Sequence, residues 1–255
     1  MERAEKLLIN QAADNGEGFN MAKHIGIIAV SSEGAALCYR TICQEAPAIM
    51  GKFGHPEITM HTHSLSDYMD YIERDDWDNV AALMISSAKK LASAGADFAI
   101  CPDNTVHRAF ERASSQSPIP VISITETVAK QCQLKGFKKV GVLGTKYTMQ
   151  GPIYRDALSK LNIDMIVPDK NDQEKINSII FEGLVPGKIT ESSGEGIIEV
   201  VHKLKASGCD AVILGCTEIP LVVNSKNSPL PVIDSTRLLA RRALEHSLEN
   251  PSHQK

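Results

Sequence analysis

An internal repeat constrains the fold of this chain more than any other feature of its sequence. The segments SAGADFAICPDNT (93–105) and ASGCDAVILGCTE (206–218) share one layout of glycine, aspartate and apolar residues, at an offset of about 113 residues. Two more segments recur in the same order at nearly the same offset: SPIPVIS with SPLPVID, and KHIGII with KKVGVL. Three ordered matches favour duplication of a domain of about 110 residues over chance similarity.

Short apolar runs alternate with helical patterns through the repeated region. The candidate strands are HIGIIAV (24–30), EITMHT (57–62), DFAIC (97–101), VISI (121–124), KVGVLG (139–144), DMIV (164–167), AVILG (211–215) and PVID (231–234). Continuous apolar runs separated by helices are typical of βαβ units with a buried parallel sheet. The sequence therefore predicts an α/β fold of two pseudo-symmetric, Rossmann-like domains with parallel sheets and a cleft between them.

The repeat also suggests where the domains begin and end. We predict a flexible N-terminal extension at 1–21, a first α/β domain formed by 22–120 together with 236–255, and a second α/β domain at 121–235. The extension is polar, has mixed charge and lacks the apolar core of a secretory signal. A cytoplasmic location is therefore expected.

Composition argues against several classes of partner. The net charge is −4 and aromatic residues make up 5% of the chain, so no nucleic-acid partner is expected. No apolar run approaches the roughly 20 residues that span a bilayer, so no membrane partner is expected either. The six cysteines form no CxxC pair and show no zinc spacing, which predicts reduced thiols and no metal site.

The repeat gives Asp103 and Cys216 equivalent positions, each just beyond an apolar strand. Because ligands bind at the carboxyl ends of strands in α/β folds, we expect these two side chains on opposite walls of the cleft. Two ionisable groups across a substrate suit a two-base proton transfer, in which one removes a proton from carbon and the other protonates the opposite face. The pair therefore predicts a site for proton transfer at carbon.

Polar residues next to this pair are candidates for substrate binding. Helix N-termini attract carboxylates through unpaired N–H groups, and helix capping is the alternative role for such side chains. The candidates are Ser32, Asn104, Thr105, Thr145, Thr217 and Glu218. His61, at the end of a predicted strand, is a further candidate for contact with the substrate, and the HxH pair that it forms with His63 has no third metal ligand.

Two motifs resemble those of a known family. CPDNTVH (101–107) is similar to the CNTxH motif, and GCTEIPL (215–221) to the GCTE-P motif, of the aspartate/glutamate racemase superfamily. The resemblance covers about residues 23–245 and includes the LGT at 143–145. It implies a two-domain, pseudo-symmetric α/β fold, racemisation of amino acids by two cysteines without a cofactor, and a homodimer.

Carried over residue by residue, the resemblance makes Cys216 the second family cysteine and puts Asp103 in place of the first. Asn104, Thr105 and Thr217 correspond to family motif residues. The family's arginine for an acidic side chain lies in a PDRT-like segment, which corresponds here to SLSDYMDYI (64–72) with Tyr68 near its place. Val185 occupies the position of a contributing lysine, so the clamp for an acidic substrate is absent from this sequence.

These observations predict a cofactor-independent amino-acid racemase acting on a small-molecule carboxylate or amino acid. The alternatives are a related isomerase or decarboxylase, or a non-catalytic metabolite-binding relative. Reference pKa values of about 3.9 for aspartate and 8.5 for cysteine predict an Asp103 carboxylate and a Cys216 thiol. The swapped state, in which Asp103 is protonated and Cys216 is a thiolate, lies roughly 6 kcal/mol higher in free energy. We expect desolvation to raise the pKa of Asp103 and a helix N-terminus to lower that of Cys216.

Overall fold

The structure, a computed structural model, describes residues 22–249 and contains two four-stranded sheets. The strands of the first sheet are β1 (Ile25–Ala29), β2 (Ile58–Thr62), β3 (Phe98–Ile100) and β4 (Val121–Ile122). Those of the second are β5 (Lys139–Gly144), β6 (Asp164–Ile166), β7 (Ala211–Gly215) and β8 (Val232–Asp234). The predicted extension at 1–21 lies outside the described residues, as do 250–255.

The helices surround both sheets. The α-helices are α1 (Ser32–Glu45), α2 (Pro47–Met50), α3 (Leu65–Glu73), α4 (Trp77–Ser93), α5 (Phe110–Ser115), α6 (Ile124–Leu134), α7 (Lys146–Gln150), α8 (Ile153–Ser159), α9 (Lys170–Ser178), α10 (Glu191–Ala206) and α11 (Ser235–Leu248). Two 3₁₀ helices, Thr105–Ala109 and Ile219–Leu221, and a π-helix at Ile179–Leu184 complete the set. No helix between residues 22 and 249 has the length and apolar character needed to cross a membrane.

The two sheets have the same topology. The strand orders are β2-β1-β3-β4 and β6-β5-β7-β8, and every pairing is parallel. All five residues of β1 and all five of β7 are buried, as expected for inner strands with helices on both faces. The predicted fold of two parallel-sheet α/β units is confirmed.

A helix cap follows the last strand of each sheet and explains why β4 ends earlier than predicted. Ser123 caps α6 by accepting the Glu126 N–H at 3.2 Å, so VISI contributes only two residues to β4. At the equivalent point of the repeat, Asp234 caps α11 by accepting the Arg237 N–H at 3.0 Å. A polar residue at the end of each apolar run therefore converts strand into helix in both halves.

Each half contributes a helix to the core of the other half. α6 follows β4 of the first sheet, but its residues Val128 and Cys132 pack with Val140 of the second sheet. α11 follows β8 of the second sheet, and its residues Leu239 and Leu244 pack into the core of the first. β4 pairs with β3, which keeps 121–122 in the first sheet, and the domain boundary after residue 120 stays a prediction.

Candidate active site

A cavity of about 250 Å³ lies between the carboxyl ends of the two sheets. Eight predicted site residues line it: Ser32, Asp103, Asn104, Thr105, Thr145, Cys216, Thr217 and Glu218. Asp103 comes three residues after the end of β3, and Cys216 comes directly after β7. Because β3 and β7 hold the same place in their sheets, the two halves bring these side chains to one cavity.

Asp103 is held at the entrance to the first 3₁₀ helix. Its Oδ1 accepts the Val106 N–H at 3.2 Å. Burial raises the pKa of Asp103 to about 6, an effect that the Val106 hydrogen bond opposes and the negative charge of Glu218 reinforces. The expected upward shift is thus found, and the carboxylate at neutral pH is a stronger base than an exposed aspartate.

Cys216 is buried beside a second carboxylate. Its thiol donates to Glu218 Oε2 at 3.0 Å, and the Thr217 hydroxyl donates to the same oxygen at 2.7 Å. Burial raises the pKa of the Cys216 thiol well above its ordinary value, and the charge of Glu218 and its hydrogen bond act in the same direction. The expected lowering by a helix N-terminus is wrong, because the three-residue 3₁₀ helix that follows is outweighed by burial and Glu218. Cys216 is therefore a protonated thiol at rest.

We expect Glu218→Gln to lower the pKa of the Cys216 thiol, because the substitution removes the negative charge beside the sulfur while keeping a side chain of similar size. The measurement is the rate of Cys216 alkylation by iodoacetamide between pH 6 and pH 10, followed by peptide mass spectrometry. Glu33→Gln is the matched control, since Glu33 lines the same cavity but is exposed. An unchanged alkylation profile in Glu218→Gln would show that burial alone sets this pKa.

Asn104 joins the two halves. Its Oδ1 accepts the Tyr154 hydroxyl at 2.6 Å, and its Nδ2 donates to Ser235 Oγ at 3.1 Å. Tyr154 lies on α8 in the core of the second half, so this amide links the Asp103 segment to that half. Much of its bonding capacity is used within the protein, which favours a positioning role over direct contact with a substrate.

Hydroxyl groups cross the cleft at two further places. Thr105 Oγ1 lies 3.1 Å from Thr145 Oγ1, and Ser31 Oγ lies 3.3 Å from Thr217 Oγ1. Ser31 caps α1 and Thr145 caps α7, so each contact joins a helix cap of one half to the motif of the other. The predicted site residue is Ser32, which lies exposed at the cavity, whereas the contact across the cleft is made by the neighbouring Ser31.

His61 lies away from the cavity, so its predicted contact with the substrate is not found. Its Nε2 accepts from Lys90 Nζ at 2.9 Å, and its Nδ1 is 3.0 Å from Ser87 Oγ. Lys90 can only donate, so the His61 ring is neutral with its proton on Nδ1. Both partners belong to α4, which shows that His61 faces this helix and not the cleft. Among residues 22–249, no three His, Cys, Asp or Glu side chains cluster in a way that could hold a metal ion.

His107 is a buried residue that supports the Asp103 segment. Its Nδ1 donates to the Asp103 carbonyl at 2.6 Å, and its Nε2 accepts the Ile124 N–H at 3.2 Å. These bonds assign a neutral ring, and burial lowers the pKa of His107 to about 4. His107 thereby ties the loop that carries Asp103 to the start of α6.

The low pKa of His107 predicts a loss of stability in mild acid. The unfolded state, with a pKa near 6.5, binds the proton more readily than the folded state, with a pKa of about 4. The stabilisation is complete above pH 6.5 and falls as the pH drops towards 4, by about 2 kcal/mol at pH 5. Urea unfolding of wild type and His107→Gln at pH 7 and pH 5 measures this loss in the free energy of unfolding. The free energy of unfolding of the variant should fall less with pH; equal losses would contradict the assignment.

The remaining cavity wall is apolar and comes from segments that sequence reasoning did not assign to the site. Leu65, Met69 and Ile72 lie on one face of α3, and Phe181 and Val185 face them from the π-helix and the residue after it. Tyr68, at the place of the family's arginine, does not line the cavity and is fully buried in the core of the first half. The spacing of three and four residues in α3 could have indicated this face.

Two parallel-sheet α/β units whose strand ends meet at a polar cavity are typical of proteins that bind a small molecule at that edge of their sheets. The chain matches the Asp/Glu/Hydantoin racemase family over residues 25–243 and belongs to this family. The broad specificity amino-acid racemase RacX of Bacillus subtilis is 26% identical over 199 residues, which cover 78% of this chain and 85% of RacX. The enzyme is therefore an isomerase of the amino-acid racemase family.

Solved structures agree with this assignment. A Yersinia pestis protein with a provisional assignment as an Asp/Glu racemase superposes with a TM-score of 0.82 at 34% identity, over 89% of this chain and all of that one (100%). An aspartate racemase homologue from Pyrococcus horikoshii OT3 gives a TM-score of 0.78 at 29% identity, with 89% and 100% of the two chains covered. The resemblance identified from the two motifs is confirmed.

Proposed function

We propose that this protein is a cofactor-independent amino-acid racemase that transfers the α-proton between Asp103 and Cys216. The observation that carries the proposal is that these two groups, at equivalent positions of the repeat, line one cavity from opposite halves. The Asp103 carboxylate removes the α-proton from one face of the bound amino acid. The Cys216 thiol then delivers its proton to the opposite face of the resulting carbanion, which inverts the configuration.

Neighbouring polar groups support this chemistry. The substrate carboxylate is placed near the hydroxyl pairs Thr105–Thr145 and Ser31–Thr217, and charge that develops on it in the transition state receives hydrogen bonds there. After inversion, Asp103 is protonated and Cys216 is a thiolate beside Glu218. Because Glu218 disfavours the thiolate, proton exchange must return the pair to its resting state before the next turnover in the same direction.

The resting state makes the two directions unequal. One enantiomer reacts from the populated state, with Asp103 ionised and Cys216 protonated, whereas the other needs the rare swapped state. We therefore expect different kcat values for the two enantiomers, with kcat/KM equal in both directions because enantiomers have equal free energies. The homodimer implied by the family resemblance is also proposed for this chain and can be checked by analytical ultracentrifugation.

The experiment that tests the proposed function uses the purified protein in deuterated water with single L-amino acids. Proton NMR follows loss of the α-proton, and chiral chromatography follows formation of the D-enantiomer. Racemisation with one deuterium incorporated per inversion is the expected result. Thermal stabilisation by an amino acid without exchange would contradict the proposal and favour the non-catalytic alternative.

A further inference from the structure

The side-chain end of the cavity has an apolar wall. Leu65 and Val185 are 38% and 40% exposed, which is high for large aliphatic residues, and both face the cavity together with Met69 and Phe181. α3 places Leu65 and Met69 four residues apart on one face. Flexible methionine and leucine side chains of this kind accommodate an extended aliphatic group without fixing its shape.

The charges at this cavity are all negative. Glu33, Glu73, Asp103 and Glu218 line it, and between residues 22 and 249 no lysine, arginine or histidine is among the lining residues. Across residues 22–249, neither Glu33 nor Glu73 has a cationic side chain within 4.0 Å. Lys146, whose ammonium lies 5.0 Å from the centre of the Tyr147 ring, is exposed and does not line the cavity.

This distribution decides which side chains can bind. The substrate's ammonium group meets carboxylates, and its α-carboxylate meets the hydroxyl groups at the strand ends. A second carboxylate on the side chain would lie among four acidic residues with no cation to compensate its lost hydration. An aliphatic side chain removes apolar surface from water, and a cationic tip would reach the exposed Glu73 at the end of α3.

We propose that the substrate is an amino acid with a linear aliphatic side chain that carries no negative charge, and that aspartate and glutamate are rejected. This inference rests on the proposed function for turnover, but it concerns the side-chain half of the site alone. Methionine, lysine and glutamate are suitable probes because their side chains have similar length and differ in charge.

The test measures deuterium incorporation at the α-carbon of the three amino acids with wild-type protein. We expect kcat/KM for glutamate to be lower than that for methionine by about 100-fold, the effect of an uncompensated charge, and lysine to lie within about tenfold of methionine. Glutamate turnover at a rate equal to that of methionine would overturn the inference.

A positive charge placed on the apolar wall provides a second test of the same proposal. Leu65→Arg should raise kcat/KM for glutamate relative to lysine by at least about tenfold, and the partial exposure of Leu65 leaves room for the longer side chain. Leu134→Arg is the matched control, since Leu134 is 71% exposed and lies outside the cavity. An unchanged glutamate-to-lysine ratio in Leu65→Arg would show that this wall does not contact the side chain.

Ligand binding separates this inference from the proposed reaction. Thermal unfolding of the wild type with each amino acid reports binding even if nothing is turned over. Thermal stabilisation by methionine but not by glutamate, without exchange of the α-proton, would contradict the proposed racemase activity and support the proposed side-chain specificity. Exchange of the α-proton in all three amino acids at equal rates would support the proposed reaction and contradict the side-chain specificity.

Discussion

Asp103→Asn is expected to reduce racemisation by about 10²- to 10⁴-fold, the usual contribution of a positioned general base. Asparagine keeps the shape of the side chain, but an amide cannot accept the α-proton. Proton NMR in deuterated water and chiral chromatography measure the loss. An unchanged rate would exclude Asp103 as the base.

Asp103→Cys is the informative companion to this variant. It restores a thiol at the position where the family resemblance places a cysteine, so racemisation should survive. As the pH is lowered, wild-type kcat/KM should decrease below about pH 6, where Asp103 becomes protonated. In the cysteine variant the decrease should begin at a higher pH, because a thiol has a higher pKa than a carboxyl group. Identical pH profiles for the two proteins would show that another group sets the acidic limb.

Cys216→Ser is expected to reduce racemisation by a similar factor. Exchange of the α-proton with solvent should continue on one face of the substrate. Asp103 can still remove the α-proton from one face, and the partly exposed carboxylate can exchange it with solvent before returning deuterium to the same face. One enantiomer should therefore lose its α-proton with retention of configuration, and the other should not react. Exchange of both enantiomers at equal rates would show that the two faces are not served by different residues.

Polarimetry and NMR on the same samples distinguish these outcomes. In Asp103→Asn, the enantiomer that wild type deprotonates with Asp103 should be inert. In Cys216→Ser, that same enantiomer should be the one that exchanges. The two variants thus assign each residue to one face of the substrate.

The repeat was sufficient to predict the fold and the residues brought together at the strand ends. An offset that pairs Asp103 with Cys216 also pairs β3 with β7, and parallel strands in equivalent sheets end at the same cleft. The crossing of α6 and α11 between the halves was beyond this reasoning. A strand and the helix after it look alike in sequence whichever sheet the helix packs against.

The errors within the site have similar local causes. His61 and its neighbours on β2 point alternately to two faces, and the sequence does not show that α4 covers the face of His61. Tyr68 and Met69 are adjacent on α3, so a rotation of about 100° per residue decides which one lines the cavity. The effect of Glu218 on Cys216 needs a contact between residues two apart, which depends on the local turn.

The exchange of helices between the halves makes each half incomplete by itself. Without α6, Val140 and Val142 of the second sheet would lose part of their apolar cover, and without α11 the same would hold for Ile25 and Ile27 of the first. A single half would need a second copy of itself to supply that helix, as in a swapped dimer. In the present chain the same exchange is intramolecular, so calorimetry should show the two halves melting in one transition, with no independently stable fragment.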